Sequence, residues 1–141
     1  MFTFVAAVAS HYLSDAIPHW DYPIKSVDGD QDADQKTWSH NPKSLLVDMS
    51  RIAADGFIGA AISFFILWPT TFYDFLSLFL IILGSTLPDF LQGLYFIKHT
   101  RFLKPLQRIH DSIHTKIKLG QYPLIGVPLQ LIIFLLALVL N

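Results

Sequence analysis

The sequence predicts an all-α fold: an integral membrane bundle of about four transmembrane helices plus one amphipathic interfacial helix. Three observations lead there. Hydrophobic residues make up 52% of the 141 positions and charged residues only 15%, against about 25% charged in an ordinary soluble domain. Mean hydropathy is +0.45. Finally, long stretches carry no charge at all, and the charges that exist cluster between them.

Residues 1–141 read as one membrane domain. Residues 1–17 form helix 1, short for a span and interrupted by Ser10, His11, Ser14 and Asp15. It lacks the basic start of a signal peptide, although Ala7-Val8-Ala9 resembles a cleavage site. Residues 18–44 form a polar cytoplasmic loop with Asp28, Asp30, Asp32 and Asp34 at alternate positions. Residues 45–68 form helix 2, amphipathic through Asp48, Arg51 and Asp55 and then uncharged to Trp68; 24 residues at about 1.5 Å each reach roughly 36 Å. Pro69-Thr70-Thr71 makes a tight turn into helix 3, residues 72–97, where Pro88 predicts a kink just before Asp89. Residues 100–119 form the amphipathic helix, with Phe102, Leu106, Ile109, Ile113 and Ile117 at steps of three and four and Arg101, Lys104, Arg108, Lys116 and Lys118 on its wet face. Gly120 stops it, and the charge-free residues 123–140 form helix 4.

If the four spans alternate in direction, all ten Lys and Arg residues fall on one side. The bias of basic loops assigns that side to the cytoplasm of the cell inner (cytoplasmic) membrane, with both termini facing outward. Ten basic against eleven acidic residues leave no basic excess of the kind a nucleic-acid binder shows. The absence of cysteine excludes disulfides, thiolate metal ligands and a Cys nucleophile.

Asp15, Asp55 and Asp89 stand inside apolar helices, where an unpartnered Asp at mid-bilayer costs roughly 2.5 to 3.5 kcal/mol. All three count to the cytoplasmic half of the bilayer. His11 and Asp15 are four residues apart, as are His110 and His114, the spacing that lets two side chains on one helix face hold one metal ion. His19 and Asp21 follow Pro18 and can close such a site from the loop. With an open coordination position, a divalent cation in N/O ligands lowers the pKa of a bound water and polarises a phosphoryl or carbonyl oxygen.

Each feature also has a plainer reading. His110 and His114 form a solvated pair on a wet helix face; Asp55 pairs with Arg51, four positions earlier; Asp89 caps a helix restarted after Pro88. The run from Asp28 to Asp34 falls short of a calcium loop, because Gln35 and Asn41 stand where the glycine and the bidentate Glu belong, and it reads as a disordered acidic loop.

Three segments in order carry a resemblance: Ser10-His11-Tyr12-Leu13-Ser14-Asp15-Ala16-Ile17-Pro18-His19-Trp20-Asp21-Tyr22, then Gly84-Ser85-Thr86-Leu87-Pro88-Asp89, then Arg108-Ile109-His110-Asp111-Ser112-Ile113-His114. Together they resemble bacterial membrane-bound predicted metal-dependent hydrolases, a family distantly similar to zinc-dependent phospholipase C. The resemblance implies metal ligation or acid-base roles for His11, Asp15, Asp89, His110 and His114, with His19 and Asp55 beside them. It also implies a preceding segment with a further His, whereas this chain opens at Met1-Phe2-Thr3-Phe4, in what would be the second helix.

The expectation is therefore a membrane-embedded metal-dependent hydrolase acting on a phosphoester of a lipid or lipid-linked substrate. His11, Asp15, His19, Asp89, His110 and His114 hold the metal, zinc first with manganese or iron as alternatives, and Asp55 or Asp111 serves as base or orienter. Expected partners are the bilayer, anionic lipid headgroups and a second copy of the chain in a homo-oligomer, with no nucleic acid. Two other readings stand beside it. One is a non-enzymatic scaffold with interhelical Asp/His hydrogen bonds and a basic lipid-binding helix. The other is an ion or proton pathway along Asp55 and Asp89.

Overall fold

The computed structural model describes residues 2–28, 36–117 and 119–139. Asp30, Asp32, Asp34 and Gln35 of the acidic loop, Lys118 and Leu140 lie outside the described residues. Five helices carry the fold: α1 (Phe2–Ala16), α2 (Pro42–Leu67), α3 (Phe72–Lys98), α4 (Lys104–Ile113) and α5 (Pro123–Val139). The loop after α1 adds two short strands, β1 (Val27–Asp28) and β2 (Thr37–Trp38), paired antiparallel with Val27 opposite Trp38. The fold is thus all-α apart from this one small hairpin.

Local chemistry sets the boundaries. α2 starts on Asn41, whose side chain accepts from Lys43 N at 3.1 Å, with Pro42 in the first helical position, where a missing N–H costs nothing. It ends where Trp68 turns left-handed at φ 32°. α3 then opens on a capping box, Asp74 N to Thr71 Oγ1 at 3.2 Å and Thr71 N to Asp74 Oδ2 at 3.0 Å. α3 continues through Pro88 to Lys98, so Asp89 sits inside a helix and caps nothing. α4 is much shorter than the predicted 100–119. The backbone leaves the helix at His114, and Thr115 N donates to Asp15 O at 2.8 Å instead of to its own helix.

α2 and α3, of 26 and 27 residues, are long and apolar enough to cross a membrane. The described α1 and α5 have 15 and 17 residues, roughly 22 and 26 Å, which falls short of a hydrocarbon core of about 30 Å. Among the described residues, the buried apolar side chains are Ala7, Leu78, Pro88, Tyr95 and Phe96, while Phe57, Phe65, Phe72 and Leu124 are each more than 70% exposed. A soluble protein does not leave that much apolar surface uncovered.

What packs inside is the contact of α1 with α3. A Cβ on Gly84 would stand 2.8 Å from Phe4 O and 3.0 Å from the Ala7 Cβ, so the two backbones meet where neither carries bulk. The hairpin docks beside this pair. Trp38 Nε1 donates to Gly93 O at 2.9 Å, its ring meets Phe96 edge-on, and His99 Nε2 donates to Lys36 O at 2.9 Å. On the other side α5 receives the post-α1 loop. Gly126 has no room for a Cβ against Trp20, and Gln130 Nε2 donates to Trp20 O at 3.2 Å.

Gly84→Ala should therefore destabilise the bundle by about 1–3 kcal/mol through overpacking. The same change at Gly56, whose Cβ would meet nothing within 4 Å, should stabilise α2 by up to about 1 kcal/mol. Thermal unfolding of the two variants in detergent, followed by circular dichroism, checks both signs.

Candidate metal centre

α1 brings His11 and Asp15 to one face, one helical turn apart, with His11 Nε2 3.1 Å from Asp15 Oδ2. The α1–α3 contact sets Asp89 opposite them, its Oδ1 3.5 Å from His11 Nε2. α4 adds His110, with Nε2 3.4 Å from Asp15 Oδ2 and 3.8 Å from Asp89 Oδ1. Four ligand atoms from three helices thus stand 3.1 to 3.8 Å from one another across these contacts. Tetrahedral bonds of 2.0–2.1 Å would separate ligand atoms by about 3.4 Å.

A second group shares Asp15. His19, from the post-α1 loop, and His114, from the end of α4, converge on its carboxylate, with all ligand atoms within 4.8 Å of one another in each of the groups His11–Asp15–His110 and Asp15–His19–His114. The rings of His19 and His114 lie 5.1 Å apart. Asp21 Oδ2 stands 3.1 Å from His19 Nε2 at the open side.

Three of the four histidines show the hydrogen bond that ligation requires, while His110 Nδ1 is buried without one among the described residues. A metal-bound imidazole ties its other nitrogen to a carboxylate, carbonyl or water, which fixes the tautomer. His19 Nδ1 donates to Ile17 O at 2.8 Å, His114 Nδ1 to Thr115 O at 3.3 Å, and the His11 ring hydrogen-bonds the Ser85 backbone. His11 Nε2 and Asp15 Oδ2 are buried and stand 3.1 Å apart as an ion pair, and neither makes a well-aligned hydrogen bond within the described residues. Buried polar atoms are rarely left in that state. The donor set and these two atoms fit a divalent cation. Burial pushes the His110 imidazole below its ordinary value, and the nearby Asp89 and Asp15 only partly offset this. The ring is therefore neutral near pH 7, the form that can ligate.

All six predicted metal residues meet here, but not as the four-residue spacing suggested. His110 and His114 belong to different groups on either side of Asp15, because α4 ends between them. Asp89 is at the mouth, its side chain 66% exposed. The two residues expected to act as base stand elsewhere. Asp111 accepts from Gln107 Nε2 at 3.0 Å, one turn back on α4. Asp55 accepts from the Tyr22 hydroxyl at 2.6 Å, and Arg51 lies 3.6 Å from Asp48. Asp48 is buried and takes Ser26 N at 2.7 Å, anchoring the start of the hairpin to α2. Of the three Asp residues that stand inside apolar helices, Asp15 and Asp89 belong to this cluster, and Asp55 straps the loop to α2.

Gln107, buried beside His110, was not foreseen. Its position three residues before His110 on one helix face was the available signal. No protein-family model, curated protein or solved structure matches the chain.

Burial and the bond to Asp55 push the Tyr22 hydroxyl up to about 12. A raised value favours the protonated, folded form, so this contribution is complete below pH ~10 and disappears as pH rises from ~10 to ~12. In an ultraviolet tyrosinate titration, Tyr22→Phe should remove a late-titrating component, and Asp55→Asn should move that component towards pH ~10.

Proposed function

We propose that the chain is a membrane-embedded metal-dependent hydrolase acting on a phosphoester of a lipid or lipid-linked substrate, in line with the family its three segments resemble. The observation that carries this reading is the pair of His/Asp groups joined at Asp15, with ligand atoms inside that make no well-aligned hydrogen bond and histidine tautomers set from outside. His11, Asp15, Asp89 and His110 would hold one ion, with His19, His114 and Asp21 around a second position. A divalent cation there, zinc first, supplies Lewis-acid polarisation and a water of lowered pKa when bound.

The chain's own residues do the rest. Asp89 leaves the centre open on its side, so a phosphoryl group can approach. The Ile17 and Thr115 carbonyls hold His19 and His114 in one tautomer. Asp111 orients the Gln107 amide beside His110. In the proposed topology α2 and α3 cross the inner membrane, the shorter α1 and α5 enter it beside them, and α4 and the loop after α1 lie at the cytoplasmic face, near anionic headgroups. A homo-oligomer would cover part of the exposed apolar surface of α2 and α5.

The second reading is a scaffold held by interhelical Asp/His pairs, which the contacts of His110 with Asp15 at 3.4 Å and of His11 with Asp89 at 3.5 Å favour, and metal content separates the two. The test is metal content by inductively coupled plasma mass spectrometry after exhaustive dialysis, together with phosphoester turnover in liposomes. Wild type should retain one to two ions per chain, His110→Ala/His114→Ala and Asp15→Asn should retain none, and turnover should fall by at least about 100-fold, since even outer partners of a ligand cost 10–100-fold. Equal metal content in all three proteins overturns the proposal.

A further inference from the structure

α4 is turned the opposite way from a helix on a soluble protein. Its apolar stripe faces outward, with Phe102 just before it 91% exposed and Leu106 and Ile109 40% and 49% exposed, while the polar Gln107 and His110 are its buried residues. The outward stripe is continuous in character with the uncovered apolar surfaces of α2 and α3. Basic residues flank it at Lys98, Arg101 and Lys116. A helix with an apolar face and a basic margin lies in the headgroup region with that face in the acyl layer.

A cleft between α3 and α4 opens on this stripe. Leu91, Leu103 and Leu106 form its apolar wall, and Tyr12, Gln107 and His110 its polar one. Leu106 belongs to both the stripe and the cleft, so the cleft meets the surface where lipid would be. The cleft holds only about 10 Å³, room for one hydroxyl or water, so an alkyl chain could lie only over the leucine side chains outside it.

Gln107 gives the base of the cleft its chemistry. The residue is 2% exposed, its Nε2 donates to Asp111 Oδ1, and its Oε1 is buried with no hydrogen-bond partner. The bond to the Asp111 carboxylate fixes the amide orientation, because the flipped form would set oxygen against oxygen. What remains is a buried acceptor with no donor among the described residues.

We propose that this cleft is the substrate-recognition subsite of the centre. A leaflet-resident phosphoester would reach it laterally past Leu106, lay its alkyl chain along Leu91, Leu103 and Leu106, and donate a headgroup hydroxyl to Gln107 Oε1, with its phosphoryl group beside His110. The position of the phosphoryl group rests on the hydrolase reading. The chain and hydroxyl contacts rest on the cleft alone.

The experiment uses the full chain in phosphatidylcholine liposomes with two probes, a monoalkyl glycerophosphate carrying a diazirine on its first chain carbons and its analogue without the free hydroxyls. After photolysis, mass spectrometry should find adducts on Leu91, Leu103 and Leu106, with the hydroxyl probe labelling about tenfold more than its analogue, the size of one well-made hydrogen bond. Gln107→Leu should erase that preference while leaving labelling by the analogue intact, which also reports that the variant is folded. Leu106→Trp should reduce labelling by both probes. Adducts confined to α2 and α5, or an unchanged hydroxyl preference in Gln107→Leu, overturn the proposal. Turnover of the same probe by metal-loaded protein is read separately. Cleft labelling without turnover overturns the hydrolase reading and supports the subsite, and turnover without cleft labelling does the reverse.

Discussion

Asp15 joins the molecule together through both its backbone and its side chain. Its carbonyl takes Thr115 N, which ends α4 and sets His114 in place, and its carboxylate faces His11 and His110. α1, α4 and the post-α1 loop therefore converge on one residue. The α1–α3 crossing at Gly84 is what lets that residue meet Asp89. Without the close approach of those two backbones the ligand atoms would not share a centre.

The molecule has its polar groups inside and its apolar groups outside. The buried polar residues, Ser26, Asp48, Gln107 and His110, are nearly as many as the buried apolar side chains among the described residues. In water such a structure would have little to hold it together, because apolar burial is the dominant driving force there. In lipid the terms change: helices associate through close packing and interhelical polar contacts. Both are present, at Gly84 against Ala7 and between Trp38 and Gly93.

Much of this was legible in the sequence where chemistry is local. The starts of α3 after Thr71 and of α5 at Pro123 follow from backbone rules that need no tertiary information, whereas α4 stops at Ile113, well before Gly120, and α2 begins at Pro42, three residues before the expected 45. The four-residue spacing of His11 and Asp15 survives because both stand within one unbroken helix. It failed for His110 and His114 because a backbone bond from Asp15, a hundred positions away, draws the chain out of α4 between them. Asp55 was misjudged for a similar reason. Its real partner, Tyr22, is 33 residues away, whereas Arg51 was the neighbour that periodicity could see. The outward turn of α4 was hidden too, since a helical stripe shows that two faces differ without saying which one the bundle receives.

The order of the helices along the chain bears on how the protein is made. α1 is made before its partners: Gly84 and Asp89 follow roughly 70 residues after its end, and His110 later still. At about 5–20 residues per second, α1 waits several seconds before α3 is synthesised. During that interval His11 and Asp15 have only each other. The His/Asp cluster is thus completed only when α3 and α4 arrive, and until then the polar face of α1 lacks the partners that later cover it.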